Sequence, residues 1–222
     1  MSQVTLYNYY RSSTSYRVRI ALHIKNIEFK YVPVHLLNNG GEQYGSSYRA
    51  LNPMAEVPTL EDEGFIIGQS VAIIEYLEEQ FPSPSLFPKD SRKKAKIRQF
   101  CENINSFMHP LSNLKVLKYL EDHHSFDQKK KELWINHWYQ IGLAATESWL
   151  LKNSGQFSFG DEVTVADCFL VPMVFTSERF HVDLTPYKTI QSINARCLKL
   201  EPFKAAHPLR QIDTPPELRV QD

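Results

Sequence analysis

The segment that decides the fold covers residues 57–70 and reads VPTLEDEGFIIGQS. Two short stretches in it, residues 59–62 and 65–67, have the composition of strands, and Glu63-Gly64 between them is typical of a hairpin turn. The residues that follow carry apolar side chains at helical spacing as far as Phe81. The segment therefore predicts a β-hairpin followed directly by a helix.

Upstream of this segment, strand and helix patterns alternate. We expect strands at residues 4–7 and 28–34, an amphipathic helix after Ser12-Ser13, and a second helix near residues 43–51. The complete order is β-α-β-α-β-β-α, and such alternation is typical of an α/β unit. We therefore predict an α/β domain over residues 1–81.

A proline-rich segment, PSPSLFP at residues 82–88, follows the last of these helices. Because proline lacks the backbone N–H that a helix needs, we place a domain boundary here, with a linker over residues 82–89. Beyond it the pattern changes to long helices, which predicts an all-helical domain over residues 90–222. Thr164 and Asp167 have the spacing of a capping box in this domain. The helical stretches that we expect cover roughly residues 90–120, 127–152, 164–180 and 186–200.

The charge balance and the hydropathy pattern argue against several classes of protein. The 222 residues include 25 Lys and Arg against 25 Asp and Glu, whereas binding of nucleic acid through phosphate neutralisation needs a basic excess or a basic face. No stretch approaches ~18 consecutive apolar residues, so we expect no membrane-spanning helix. Residues 1–6 lack a basic segment followed by an apolar one, so we expect no secretory signal and a cytoplasmic protein.

The sequence also gives no support for a metal ion or a bound nucleotide. Cys101, Cys168 and Cys197 are widely spaced and form no Cys-x-x-Cys pair, which argues against a disulfide framework and a zinc site. The eight histidines form no His-Glu-x-x-His pattern, and the eight glycines form no phosphate-binding loop.

The main candidate functional segment is RSSTSYR at residues 11–17, which lies between the first strand and the first helix. Hydroxyl side chains at a helix start are most often N-caps. They can also bind an anion, together with the backbone N–H groups at the positive end of the helix. A thiolate is one such anion, because a free thiol ionises near ~8.5 and a hydrogen-bond donor increases its ionised fraction at neutral pH.

Two other features each have a structural and a functional interpretation. Val57-Pro58 is either an ordinary trans proline at a strand start or a cis bond that turns the backbone of Val57 towards an extended peptide ligand, and only ~5% of such bonds are cis. Gln69-Ser70 is either the N-cap of the following helix or a second anion site, for a carboxylate.

Taken together, these features resemble the glutathione transferase family, in which a thioredoxin-like domain precedes a helical domain. The resemblance extends over essentially the whole chain and is closest to the zeta class, since residues 12–22, SSTSYRVRIAL, are similar to the class motif SSCSWRVRIAL. Further stretches that resemble the class are ALNPM at 50–54, VPTL at 57–60, QS at 69–70, AIIEYLEE at 72–79, GDEVT at 160–164, VDLTPY at 182–187 and DTPPELR at 213–219.

The resemblance implies a glutathione-dependent cis-trans isomerisation of maleylacetoacetate to fumarylacetoacetate, in phenylalanine and tyrosine catabolism, with some glutathione transfer beside it. By the match to the motif, Ser12 is the first choice to hydrogen-bond the glutathione thiolate, with Ser13 and Thr14 beside it as catalytic residues. The other positions that match glutathione contacts are Ser15, Tyr16, Arg17, Gln43, Val57, Gln69 and Ser70 in the first domain and His109, Asn113, Leu114 and Lys115 in the second.

The implied substrate is a small dicarboxylate, so its site needs cations. Arg11 and Arg179 are the candidates, because a guanidinium group pairs well with a carboxylate. We expect the arginines of the first helix, Arg17 and Arg19, to be solvated or paired. The family also implies a homodimer, with no nucleic acid and no membrane as partner.

Three residues depart from the zeta-class pattern: Thr14 replaces a cysteine, Tyr16 a tryptophan, and His109 an often-found glutamine. Thr14 and His109 also resemble a sister branch, the glutathione-dependent maleylpyruvate isomerases of gentisate degradation. That branch often carries an arginine shortly after the histidine, and residues 111–115 here read LSNLK. Maleylacetoacetate is therefore the expected substrate, with maleylpyruvate isomerisation or a non-catalytic glutathione-binding module as alternatives.

Overall fold

The structure is a computed structural model that describes residues 4–220. Residues 1–3 and 221–222 lie outside it, so the expectation about a secretory signal rests partly on residues that are not described. The chain forms two compact units, one of Met1–Leu86 with Leu200–Asp222 and one of Phe87–Lys199. Within residues 4–220, no helix is both long and apolar enough to cross a membrane.

The first unit is built on a four-stranded mixed sheet with the strand order β2-β1-β3-β4. The strands are β1 (Val4–Asn8), β2 (Phe29–Pro33), β3 (Thr59–Asp62) and β4 (Phe65–Gly68). β1 pairs in parallel with β2 and antiparallel with β3, and β3 forms the predicted hairpin with β4. Leu6 and Leu60 are register partners on the central strands and are fully buried, so the core lies against this part of the sheet.

Three helices complete the predicted order of the first unit and confirm its thioredoxin-like α/β fold. They are α1 (Ser13–Ile24), α2 (Ser46–Leu51) and α3 (Ser70–Gln80). The helix expected near residues 43–51 is shorter than predicted. Gly45 has an extended backbone, with φ −61° and ψ 147°, and separates a 3₁₀ turn at Glu42–Tyr44 from α2.

The second unit is helical, as the sequence predicts. Its helices are α4 (Ser91–Glu102), α5 (His109–Leu111), α6 (Leu114–His124), α7 (Gln128–Asn153), α8 (Val165–Arg179) and α9 (Lys188–Cys197). The capping box at the start of α8 is confirmed, since the Asp167 carboxylate accepts from the backbone N–H of Thr164 at 2.8 Å. Burial raises the pKa of this carboxyl.

The single helix expected over residues 90–120 is wrong. After α4 the chain forms a π-helical segment at Asn103–Met108, continues through α5, and breaks before α6. Pro110 in α5 has no backbone N–H to donate, and the side chain of Asn113 caps α6 by accepting from the N–H of Lys115 at 2.9 Å.

The C-terminal segment packs with the first unit, whereas the predicted boundaries assigned it to the helical domain. Its helix α10 (Glu201–Ala206) lies against α1. Phe203 and Ala206 of α10 are fully buried, which is the physical reason why this segment stays with the sheet. A six-residue amphipathic pattern does not reveal which surface it will cover, so its hydrophobic spacing alone could not assign it.

Candidate active site

The N-terminus of α1 is the first part of the site. β1 ends at Asn8, the chain turns, and the N–H of Ser12 donates to the carbonyl of Tyr9 at 3.0 Å. Ser12 is the N-cap of α1, because its Oγ accepts from the N–H of Ser15 at 3.2 Å. The first turn of α1 contains no acidic residue, so the positive end of the helix is not neutralised there.

A chain of hydroxyl groups connects this helix start to the neighbouring loop. Thr14 Oγ1 donates to the carbonyl of Val57 at 3.0 Å and lies 2.9 Å from Ser12 Oγ. A hydroxyl group has one proton, and that of Thr14 is on Val57, so in this arrangement Ser12 donates to Thr14. The structure thus brings together three of the predicted site residues, Ser12, Thr14 and Val57.

The loop that carries Val57 is held by side chains of α2 and β3. Tyr48 Oη and Asn52 Nδ2 both donate to the carbonyl of Glu56, at 2.7 and 2.9 Å, and both also contact Thr59 Oγ1. Burial raises the pKa of Tyr48 to about 12, so this phenol keeps its proton. The Val57-Pro58 bond that follows is cis, although the general frequency of such bonds favours trans.

The start of α3 is the second part of the site. Ser70 is buried, and its Oγ accepts from Arg17 Nη1 at 3.2 Å. Arg17 is only 1% exposed, so a guanidinium lies beneath the first turn of α3. Gln69 is exposed and holds the left-handed backbone conformation, with φ 69° and ψ 116°, and its side chain makes no cap hydrogen bond. Left-handed non-glycine residues concentrate at functional positions, and the arrangement suits a bound carboxylate.

Three further predicted contact residues are buried in this structure. Ser15 and Tyr16 are fully buried, and Tyr16 Oη donates to the carbonyl of Phe203 in the tail at 3.5 Å. Their side chains therefore pack inside the first unit and support α1. Gln43 is also buried, and its Nε2 donates to the carbonyl of Leu36 at 3.3 Å. Its Oε1 has no hydrogen-bond partner within residues 4–220.

The arginines differ from one another in their surroundings. Arg11 is partly exposed, with its Cζ 6.0 Å from the centre of the Tyr9 ring. Arg19 is completely buried and donates to backbone carbonyls, so of the two alternatives expected for the first helix, solvated or paired, it is paired. In the second unit, Arg179 is exposed at the end of α8, with its Cζ 4.4 Å above the ring of Phe180.

The other predicted contacts of the second unit form one short stretch. His109 begins α5, directly after the π-helical segment, and Asn113, Leu114 and Lys115 form the start of α6. Leu114 is exposed, and the other three are partly exposed. The structure thus places these four residues within one turn and its neighbouring helix start.

Comparisons with known proteins show the family to which this chain is similar. The glutathione S-transferase N-terminal domain family matches residues 6–85. The maleylacetoacetate isomerase of Rattus norvegicus is 46% identical over 97% of each chain. The holo structure of a bacterial zeta-class maleylpyruvate isomerase, 39% identical, superimposes with a TM-score of 0.92 over 95% of this chain and 100% of that one. This chain belongs to the zeta-class glutathione transferase family.

One further zeta-class relative was solved with the family's cofactor. The maleylacetoacetate isomerase of Anaeromyxobacter dehalogenans 2CP-1, with glutathione bound in its active site, is 39% identical, with a TM-score of 0.85, over 96% of this chain and 98% of that one. The residues of this zeta-class chain fit a peptide thiol. A hydroxyl donor lies at the positive end of α1, and a serine backed by a buried guanidinium opens α3.

Sequence reasoning on this zeta-class chain missed two residues near the site, Arg19 and Asp213. Arg19 was expected only to be solvated or paired, and Asp213 was noted only as a member of a longer matching stretch. Asp213 accepts from the N–H of Tyr10 at 2.9 Å, two residues before Ser12. The available signal was the match of residues 213–219 to the class, but that match carried no indication of the contact that Asp213 makes.

Proposed function

We propose that this protein is a glutathione-dependent isomerase that converts maleylacetoacetate to fumarylacetoacetate, with weak glutathione transfer as a side activity. The observation that carries the proposal is the hydroxyl chain at the start of α1, in a chain that is 46% identical to a mammalian maleylacetoacetate isomerase over nearly its full length. A partly exposed helix terminus with a rotatable donor provides what a reacting thiolate requires.

Bound glutathione supplies a thiolate that adds reversibly to the double bond conjugated to the substrate ketone, leaving a single bond that rotates before the sulfur departs. Ser12 binds the sulfur by turning its proton away from Thr14, since a thiolate is a stronger acceptor than a neutral hydroxyl group. The N-terminal end of α1 lowers the free energy of the charged form. Val57 offers its backbone to the peptide, and Ser70 with Arg17 beneath it holds the γ-glutamyl carboxylate.

The remaining roles are also proposals. Gln43 and Gln69 of the first unit, and His109, Asn113, Leu114 and Lys115 of the second, contact glutathione by their match to the family. Arg11 and Arg179 bind the carboxylates of the small dicarboxylate substrate, because a guanidinium group supplies two parallel donors. The protein acts in the cytoplasm as a homodimer.

A second candidate substrate is maleylpyruvate. The observation that favours it is the pair Thr14 and His109, which resembles the maleylpyruvate branch, together with the TM-score of 0.92 to a member of that branch. The higher sequence identity is to a maleylacetoacetate isomerase, at 46% against 39%. The chemistry required of Ser12 is the same for both acids.

The direct test follows the ultraviolet absorbance of maleylacetoacetate with and without glutathione, with maleylpyruvate in parallel. We expect glutathione-dependent loss of maleylacetoacetate with the larger kcat/KM. A larger kcat/KM for maleylpyruvate would identify the protein as a maleylpyruvate isomerase instead. Retention on a glutathione matrix without isomerisation of either acid would identify a binding module and contradict the proposed reaction.

A further inference from the structure

Hydrogen bonds to its backbone hold the short segment between β1 and Ser12. The carbonyl of Asn8 accepts from the N–H of Val34 at 2.8 Å, and the carbonyl of Tyr9 accepts from the N–H of Ser12 at 3.0 Å. Two charged side chains, Arg19 and Asp213, make further hydrogen bonds to the backbone of Tyr9 and Tyr10. These contacts fix the peptide units that lead into the N-cap of α1.

Arg19 holds this segment from the side of α1. Its Nη2 donates to the carbonyl of Tyr10 at 2.9 Å, and its Nη1 donates to the carbonyl of Tyr9 at 3.4 Å and to Asn8 Oδ1 at 2.9 Å. Its Nε donates to the carbonyl of Ala206 at 3.0 Å. One buried guanidinium thus joins the C-terminal tail to the carbonyl group that receives the Ser12 N–H.

Asp213 holds the same segment from the tail. Its Oδ2 accepts from the N–H of Tyr10 at 2.9 Å, and its Oδ1 accepts from Tyr31 Oη of β2. Desolvation lowers the pKa of Arg19, and the charge of Asp213 is among the groups that oppose this shift. The carboxylate therefore both stabilises the buried cation and fixes the Tyr10 peptide.

We propose that Asp213 and Arg19 are positioning residues for Ser12, so that the C-terminal tail is a working part of the thiol site. Neither side chain contacts the reacting atoms. They fix the Tyr9–Tyr10 peptides, and these fix the backbone of Ser12 and the direction of its hydroxyl group. The inference rests on the proposed function in one respect, that Ser12 donates to the glutathione sulfur. A displacement of a donor by a fraction of an ångström is enough to weaken its interaction with a reacting anion.

The test compares Asp213→Ala and the near-isosteric Asp213→Asn with the wild type, well below the melting temperature of each variant. The readouts are kcat, KM for the acid, and the pKa of the bound glutathione thiol, followed by the thiolate absorbance as pH is varied. We expect kcat to fall about tenfold and the thiol pKa to rise by about one unit, with the KM changed less than about twofold. Asp213→Glu keeps both acceptor oxygens, so its kcat and thiol pKa should lie close to the wild-type values.

The matched control is Thr214→Val. Thr214 is the buried neighbour of Asp213, and its Oγ1 donates to the carbonyl of Pro208 at 2.6 Å, away from the Tyr9–Tyr10 segment. We expect this variant to lose thermal stability as the Asp213 variants do, while kcat and the thiol pKa stay at wild-type values. That contrast separates positioning of Ser12 from general support of the fold.

A double-mutant cycle with Ser12→Ala tests the connection itself. If Asp213 acts through Ser12, adding Asp213→Ala to Ser12→Ala changes kcat by less than about twofold. The inference is overturned if the two losses multiply, or if Asp213→Ala and Asp213→Asn leave the thiol pKa unchanged. A wild type that binds glutathione but isomerises neither acid contradicts only the proposed reaction, because the thiol pKa still reports on the positioning. A wild type that binds no glutathione overturns both.

Discussion

In this structure the hydroxyl proton of Ser12 points to Thr14, and it must turn to the glutathione sulfur for Ser12 to act as the thiolate donor. Replacement of Ser12 by alanine removes that proton together with the acceptor for the Ser15 N–H. We expect kcat to fall about tenfold or more, because one preorganised donor to a reacting anion is lost. The lost cap should also lower the free energy of unfolding by about 1 kcal/mol. Steady-state isomerisation and thermal unfolding measure the two effects.

The control for the cap is Asp127→Ala at the start of α7. Asp127 accepts from the N–H of Lys130 at 2.8 Å and lies outside the proposed site. It should lose a similar amount of stability and keep the wild-type kcat. Equal losses of turnover in both variants would reduce Ser12 to a structural cap.

Thr14 has a different role, because its proton is already on the carbonyl of Val57. Thr14→Val removes this hydrogen bond and the acceptor for Ser12, but not the donor to the sulfur. We expect kcat to fall about threefold, a smaller loss than for Ser12→Ala, with Thr14→Ser close to the wild type. A loss as large as that of Ser12→Ala would assign the thiolate donor to Thr14 instead. Parallel kinetics of the three variants decide between them.

Among the secondary-structure elements, α1, α3 and the proline-rich segment are joined by one buried lysine. Lys25 Nζ donates to the carbonyls of Phe81 and Pro84 at 2.6 and 2.9 Å and pairs with Glu78 Oε2 at 2.7 Å. Lys25→Met keeps the length of the side chain but removes the donor to the Phe81 and Pro84 carbonyls and the charge partner of Glu78. We expect a loss of about 3 kcal/mol in the free energy of unfolding, measured with urea.

The same pair predicts a pH dependence of stability. Burial opposes ionisation of Glu78, but hydrogen bonds from Lys25, Ser85 and the N–H of Leu86 outweigh it and lower the pKa below the ordinary value of 4.5. A carboxyl group with a lowered folded pKa contributes stability above its unfolded pKa and loses it as pH falls through the folded value. The stability difference between wild type and Glu78→Gln should therefore be constant from about pH 6 to 8 and shrink below about pH 4.5. A difference that persists unchanged at about pH 3 contradicts this assignment.

The last residue of the π-helical segment, Met108, packs against a glycine of α7. A Cβ at Gly142 would lie 2.4 Å from Met108 Cγ and 2.5 Å from its Sδ. Gly142→Ala should therefore lower the free energy of unfolding by about 1–3 kcal/mol through overpacking. Adding Met108→Ala removes the clash. The double variant should therefore lose less free energy of unfolding than the two single variants lose together. Additive losses in urea unfolding would show that the two side chains do not compete for this space.

Features set by local sequence could be predicted, whereas features set by distant parts of the chain could not. The strands, α1 and α3 follow from hydrophobic spacing, and Ser12 as an N-cap follows from its hydroxyl group, because these are local properties. The burial of Arg19 is not local, since one of its acceptors is the carbonyl of Ala206, 187 residues away in the sequence. The π-helical segment at Asn103–Met108 likewise packs against another helix, where Met108 lies close to Gly142. The assignment of glutathione contacts by family match stays a prediction.

For the whole molecule, the important fact is that the first unit is made of two distant parts of the chain. Residues up to Leu86 supply the sheet and the proposed glutathione contacts of this unit, and the segment from Leu200 supplies α10, the Ala206 carbonyl and Asp213. A buried guanidinium that loses its acceptors is strongly destabilising. We therefore expect the site to need the tail, although none of the proposed glutathione contacts lies in it.

This leads to a prediction about truncation. A chain that ends at Lys199 leaves Arg19 without the Ala206 carbonyl and Tyr10 and Tyr31 without Asp213, and it exposes the surface of α1 that α10 covers. We expect it to lose cooperative thermal unfolding and to bind glutathione at least about tenfold more weakly in calorimetric titration. The control is a chain that ends at Val220, whose N–H donates to the carbonyl of Leu209 at 3.1 Å, and it should behave as the full chain does. If the chain ending at Lys199 binds glutathione with the full affinity, the first unit folds and works from residues 1–86 alone, and the contacts of the tail serve only its own attachment.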